Sequence, residues 1–142
     1  MASSDLNGEG KRRFIDLLTS EQRKEFPMCT GCIDYAPDAL AAMAHISWLG
    51  NQKHNKDQPL HHSRGKSNDH ADCIVRHQST RFDSDPAYEN DVLAPVFHMA
   101  EQVWRSVIQL QERMEEIYNL PLAPGAKSEP TDAEKLQVTR YY

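Results

Sequence analysis

"VFHMAEQVWRSVIQLQERMEEI", residues 96–117, is the stretch whose spacing settles the fold class. Val96, Val103, Leu110 and Ile117 recur every seven residues, and Ala100, Val107 and Met114 each fall four residues after one of them. Positions three, four and seven apart share one face of a helix, so the pattern writes a continuous apolar seam. Such a seam packs against other helices. The helix is predicted to begin near Asp91 to Pro95 and to run to about Asn119, where "LPLAPG" supplies the stop.

Upstream, "PDALAAMAHISWLGNQKHN" (37–55) predicts a second strong helix. Pro37 suits a first turn, Asp38 complements the positive end of the helix, and Ala and Leu are good helix formers. From Ala39 to Leu49 the segment is apolar nearly all round, which predicts a buried helix. Gly50 costs about 1 kcal/mol inside a helix, so its presence implies close packing or a ligand near the backbone. "KDQPLHHSRGK" reads as a loop, with His62 solvated. Ser67 then caps a third helix, "SNDHADCIVRHQ", with Asp72 and Arg76 spaced as an i,i+4 pair. "STRFDSDPAYEND" is an acidic loop. Near the N-terminus, "KRRFIDLLTSEQRKEF" holds one short helical patch capped by Thr19 or Ser20, and "PMCTGCIDYAPDA" is an irregular lead-in. No segment alternates like a strand. The expected organisation is an N-terminal arm (1–25), one all-α domain (26–120) and a flexible C-terminal tail (121–142).

The composition of the 142-residue chain, 39% hydrophobic and 26% charged, fits a soluble globular protein. A net charge of −5 does not steer a chain onto nucleic acid, so any phosphate ligand must be drawn by a local patch. No run approaches the roughly 20 apolar residues of a membrane span. "MASSDLNGEG" lacks the apolar segment of a signal peptide, and three cysteines are an odd number, which together predict reduced thiols and a cytoplasmic protein.

The chemistry concentrates in residues 50–77. Lys53, His54, His61, Arg64 and Lys66 form a cationic stretch in an acidic chain. Such groups bind phosphate oxygens, and the N-terminus of the Ser67-capped helix adds backbone N–H donors. Asp69 and Asp72 lie i,i+3 on one helix face, a spacing that suits Mg²⁺ or Mn²⁺. Side by side they suggest a metal–polyphosphate site. The plainer alternative is a solvated basic loop before carboxylates that complement a helix dipole. A zinc reading joins Cys29 and Cys32 to His70, Cys73 and His77, which share one helix face, but no second CxxC or HxxxH completes its spacing. His98, Glu101 and Arg105 lie off the seam: Glu101 and Arg105 as a surface pair, His98 facing the carboxylates of the preceding helix. Trp48 and Trp104 are expected in the core.

Taken together, "DYAPDALAAMAHISWLGNQKHN", "QPLHHSRGKSNDHADCIVRH" and "HMAEQVWRSVIQLQ" resemble the phage-type dATP/dGTP diphosphohydrolase domain family, which belongs with the MazG-like nucleotide pyrophosphohydrolases. The match covers roughly residues 25–117. The resemblance implies an all-α MazG-like helical bundle that assembles as a homodimer or homotetramer. It implies Mg²⁺- or Mn²⁺-dependent hydrolysis of a purine deoxynucleoside triphosphate to the monophosphate and pyrophosphate, in phage nucleotide-pool control or modified-DNA precursor supply. MazG-like enzymes hold metal with an EExxE run and an ExxD pair, and here the first long helix has no Asp or Glu after Asp38. On this reading Asp69 and Asp72 are the catalytic, metal-binding pair, and Asp83, Asp85 and His98 replace the missing run. Asn51, Lys53, His54, His61, Arg64, Lys66, Ser67 and Arg76 contact the substrate. The missing run also favours a competing reading, a helical protein that binds a nucleotide or a partner without catalysis.

Overall fold

The computed structural model describes residues 11–54, 56–62 and 69–125 of the chain. Those residues form helices joined by turns, with no strand among them. Three short helices, α1 (Phe14–Leu17), α2 (Ser20–Glu25) and α3 (Met28–Gly31), lead to three longer ones: α4 (Pro37–His54), α5 (His70–Ser79) and α6 (Phe97–Tyr118). Short 3-10 turns at Ile33–Tyr35, Pro86–Tyr88 and Ala94–Val96 link them. No described helix is long and apolar enough to cross a membrane.

Local chemistry explains the boundaries. Thr19 caps α2 through a capping box: Gln22 N donates to Thr19 Oγ1 (3.1 Å) and Thr19 N donates to Gln22 Oε1 (2.8 Å). The expected single helical patch is therefore two helices, broken where Leu18 turns extended. Helix α4 starts at Pro37 as its sequence predicts. Helix α6 ends at Asn119, whose left-handed backbone (φ 50°) is a common helix stop. The chain then folds back, and buried Glu115 holds it through Oε2, which accepts from Ala123 N at 2.8 Å. Residues 126–142 and the Ser67 cap lie outside the described residues.

Helix α6 is the centre of the packing, with α5 on one side and α4 on another. The contacts His70–Arg105 and His77–His98 make α5 and α6 antiparallel. The core is Ile46 of α4, Leu93 of the connecting turn, and Phe97 and Ala100 of α6. Ala42, Leu49, Tyr88 and Trp104 pack against it. Burying Phe97 contributes roughly 1.5–3 kcal/mol.

The expectation that α4 is buried all round is corrected. Only Ile46, Ser47 and Asn51 of that helix are buried, and Trp48 remains 48% exposed. The buried face of α4 meets α6 and the turns that carry Tyr88 and Leu93. Trp104, by contrast, does lie against the core. His62 is also corrected: it is half-buried, with Nε2 2.9 Å from Ser47 Oγ and its ring edge-on to Trp104.

Candidate functional site

A cavity of about 230 Å³ opens where α4, α5, α6 and the Pro86–Tyr88 turn meet. Each element contributes a stripe set by its own period. From α4 come Ile46, Leu49, Gly50, Lys53 and His54; from α5, Arg76 and His77; from α6, Phe97, Glu101 and Arg105; and from the turn, Asp85 and Tyr88. Lys53, His54, Arg76 and Arg105 thus gather beside two aromatic rings in a chain of net negative charge. The volume falls below the roughly 300–1,000 Å³ of a full ligand pocket.

The α5–α6 wall is a polar network. Arg105 bridges the helices: its Nε donates to Glu101 Oε1 at 3.0 Å and its Nη1 lies 3.1 Å from His70 Nδ1. His77 and His98 meet Nδ1 to Nδ1 at 2.8 Å. That geometry requires one ring to carry the proton and the other to accept it. Burial lowers the His77 pKa first; Glu101 opposes this, and His98, Arg76 and Arg105 add to it. Cys73, also buried here, has its thiol pKa raised by burial and by its hydrogen bond to Asp69 Oδ2 (3.4 Å). Burial, then the carboxylates of Asp85, Glu101 and Asp91, raises the Tyr88 pKa.

Of the substrate contacts read from the sequence, Lys53, His54 and Arg76 line the cavity. Asn51 and His61 instead lie inside the fold. Asn51, 2% exposed, accepts from His61 N (3.0 Å) through Oδ1 and donates to Gln58 O (3.3 Å) through Nδ2. This clamp fixes the loop on α4, and neither residue is in the cavity lining. Arg64, Lys66 and Ser67 lie outside the described residues.

The expected metal donors are dispersed. Asp85 lines the cavity, whereas Asp69 and Asp72 are exposed and absent from its lining. Asp83 is exposed, and His98 faces His77 where a carboxylate had been expected. Among the described residues no group of three or more His, Cys, Asp or Glu is arranged to hold a metal ion, so these donors as placed do not fit one shared cation. The zinc alternative likewise finds no such group among the described residues.

The sequence reading passed over His77, Tyr88, Phe97, Glu101 and Arg105 as ligand contacts. A signal was present for some of them. His70, Cys73 and His77 on α5, and His98, Glu101 and Arg105 on α6, repeat at matching i,i+3 and i,i+7 spacings, as two polar helix faces must to meet. Tyr88 and Phe97 carry no such local signal. The fold and cavity define an all-α chain with a mixed cationic and aromatic site. Comparison with protein-family models, characterised proteins and solved structures finds no match.

Proposed function

We propose that the protein binds a purine deoxynucleoside triphosphate, dATP or dGTP, in this cavity and hydrolyses it to the monophosphate and pyrophosphate. The observation that carries the reading is the meeting of Lys53, His54, Arg76 and Arg105 with the Tyr88–Phe97 ring pair. Cationic side chains recognise phosphate oxygens, and a ring face with apolar neighbours suits a base. The MazG-like resemblance of residues 25–117 supports the same substrate. Mg²⁺ or Mn²⁺ is the proposed cofactor; such ions are commonly held by substrate phosphates with one or two carboxylates. Arg76 and Arg105 would balance charge on the phosphates, and the core side of the cavity excludes water from the base.

The test is incubation of the protein with each deoxynucleoside triphosphate and Mn²⁺, with release of pyrophosphate as readout. Turnover of dATP or dGTP is expected, and a folded sample that turns over neither would sink the hydrolase reading. Binding without hydrolysis is the second reading, favoured by the dispersed carboxylates. Calorimetry separates the two. If Asp72→Asn abolishes pyrophosphate release and leaves binding intact, that exposed carboxylate belongs to turnover. We also propose assembly as a homodimer or homotetramer through the apolar seam of α6, much of which is exposed in the single chain.

A further inference from the structure

The cavity has a direction. Along α4 its wall passes from Ile46 and Leu49 to Lys53 and His54. Ile46 and Lys53 are seven residues apart, which is about 10 Å of helix at about 1.5 Å per residue. Tyr88 and Phe97 stack with centroids 4.6 Å apart and planes at 28°, and they share one apolar cluster with Ile46 and Leu49. One end is therefore aromatic and apolar, and the α4 cations stand about two turns further on.

Two carboxylates also reach the cavity, and they differ. Glu101 is engaged by Arg105 at 3.0 Å. Asp85 opens the turn that carries Tyr88, and its Oδ1 accepts from Ala87 N at 2.9 Å. That bond fixes the Asp85 carboxylate beside the aromatic end. Among the described residues, no basic side chain lies within ion-pair distance of it.

Resting on the purine triphosphate reading above, we infer that the base lies at the Tyr88–Phe97 end, that the phosphates extend toward Lys53 and His54, and that Asp85 selects guanine. An ionised carboxylate only accepts hydrogen bonds. Guanine presents two adjacent donors on its Watson–Crick edge, the ring N1–H and the exocyclic N2 amine. Adenine presents one donor there, its N6 amine, beside an N1 lone pair that a carboxylate repels. Hydrogen bonds to that edge are how a base taken out of its stack is read. A good bidentate pair discriminates by about tenfold or more.

The experiment is calorimetry with the α,β-methylene analogues of dGTP, dATP and dITP, which the proposed cleavage cannot break. The full chain should bind the guanine analogue at least about tenfold more tightly than the adenine one. The hypoxanthine analogue, which keeps N1–H and lacks the 2-amine, should fall between them. Asp85→Asn, which retains an oxygen for the Ala87 N–H, should erase the preference. Lys53→Ala should weaken all three alike, because it acts on phosphate. Equal or adenine-favouring affinities overturn the inference and leave the purine triphosphate reading standing, as does a preference that survives Asp85→Asn. Binding of none of the three overturns both. If Asp85→Asn fails to fold, Asp85→Ser, whose hydroxyl oxygen still accepts from the Ala87 N–H, takes its place and should likewise erase the preference.

Discussion

His77 sits where packing and charge conflict. Burial and the neighbouring His98, Arg76 and Arg105 disfavour its protonated form more than Glu101 favours it, so its pKa is lowered. Above about pH 6.5 the imidazole is neutral in both folded and unfolded chains. Below that, the unfolded chain takes up the proton first, and stability falls with pH until the lowered folded value is reached. The melting temperature should therefore drop between about pH 7 and 5 more steeply in the wild type than in His77→Gln. Equal slopes would show that other groups set the acid limit. Thiol chemistry gives a second residue-scale outcome. Cys73 is buried with a raised pKa, whereas Cys29 and Cys32 are exposed. Because the thiolate is the reactive form, native alkylation should label Cys29 and Cys32 and spare Cys73 until denaturant is added. Mass spectrometry after brief iodoacetamide treatment reads this directly, and rapid native labelling of Cys73 would contradict the packing of α5 on α6.

Among the elements, α4 carries a glycine inside its helix. Gly50 lines the cavity, and a Cβ built there meets only His62 Cε1, at 3.9 Å, which is ordinary contact. Gly50→Ala should therefore gain close to the helix-propensity difference, about 1 kcal/mol, and raise the melting temperature. The same methyl group narrows the cavity, so nucleotide affinity should fall in that variant. A lower melting temperature would mean that the backbone there needs glycine for another reason. At the end of α6, Glu115→Ala removes the acceptor of the Ala123 N–H, and should cost about 1–3 kcal/mol in denaturant unfolding. These helices were largely legible from sequence: Pro37 with its Ala-rich run placed α4, and the seven-residue spacing placed α6. Lys53, His54 and Arg76 were legible at the site because cations in an acidic chain stand out. Tyr88 and Phe97 were not, since their stacking joins a 3-10 turn to a helix start, and no local period encodes a contact made by tertiary packing. Asn51 misled for a related reason: a polar residue beside a ligand and one clamping a loop have the same local sequence.

The whole molecule leaves α6 covered on only part of its circumference. Phe97, Ala100 and Trp104 face the core, and His98, Glu101 and Arg105 meet α5 or the cavity. What remains outward is most of the seam first read from the sequence: Val96, Val103, Val107, Leu110 and Ile117 are exposed, with Leu110 at 59% and Ile117 at 64%. A seven-residue apolar repeat is a packing instruction, and among the described residues of the seam Ala100 is buried and Met114 half-buried. Large contiguous apolar patches on soluble chains mark interaction sites, and a second copy offers the same periodic face in return. The expected species in sedimentation velocity is therefore a dimer or tetramer. Leu110→Glu should shift it toward monomer, weakening association by at least about tenfold, or ~1.4 kcal/mol, by placing a charge in the seam. Because Leu110 faces away from the core and does not line the cavity, helical circular dichroism of the variant should stay unchanged. A wild type that sediments as a monomer at every accessible concentration would leave the seam to a different partner, and an Leu110→Glu variant that still assembles would place the interface elsewhere.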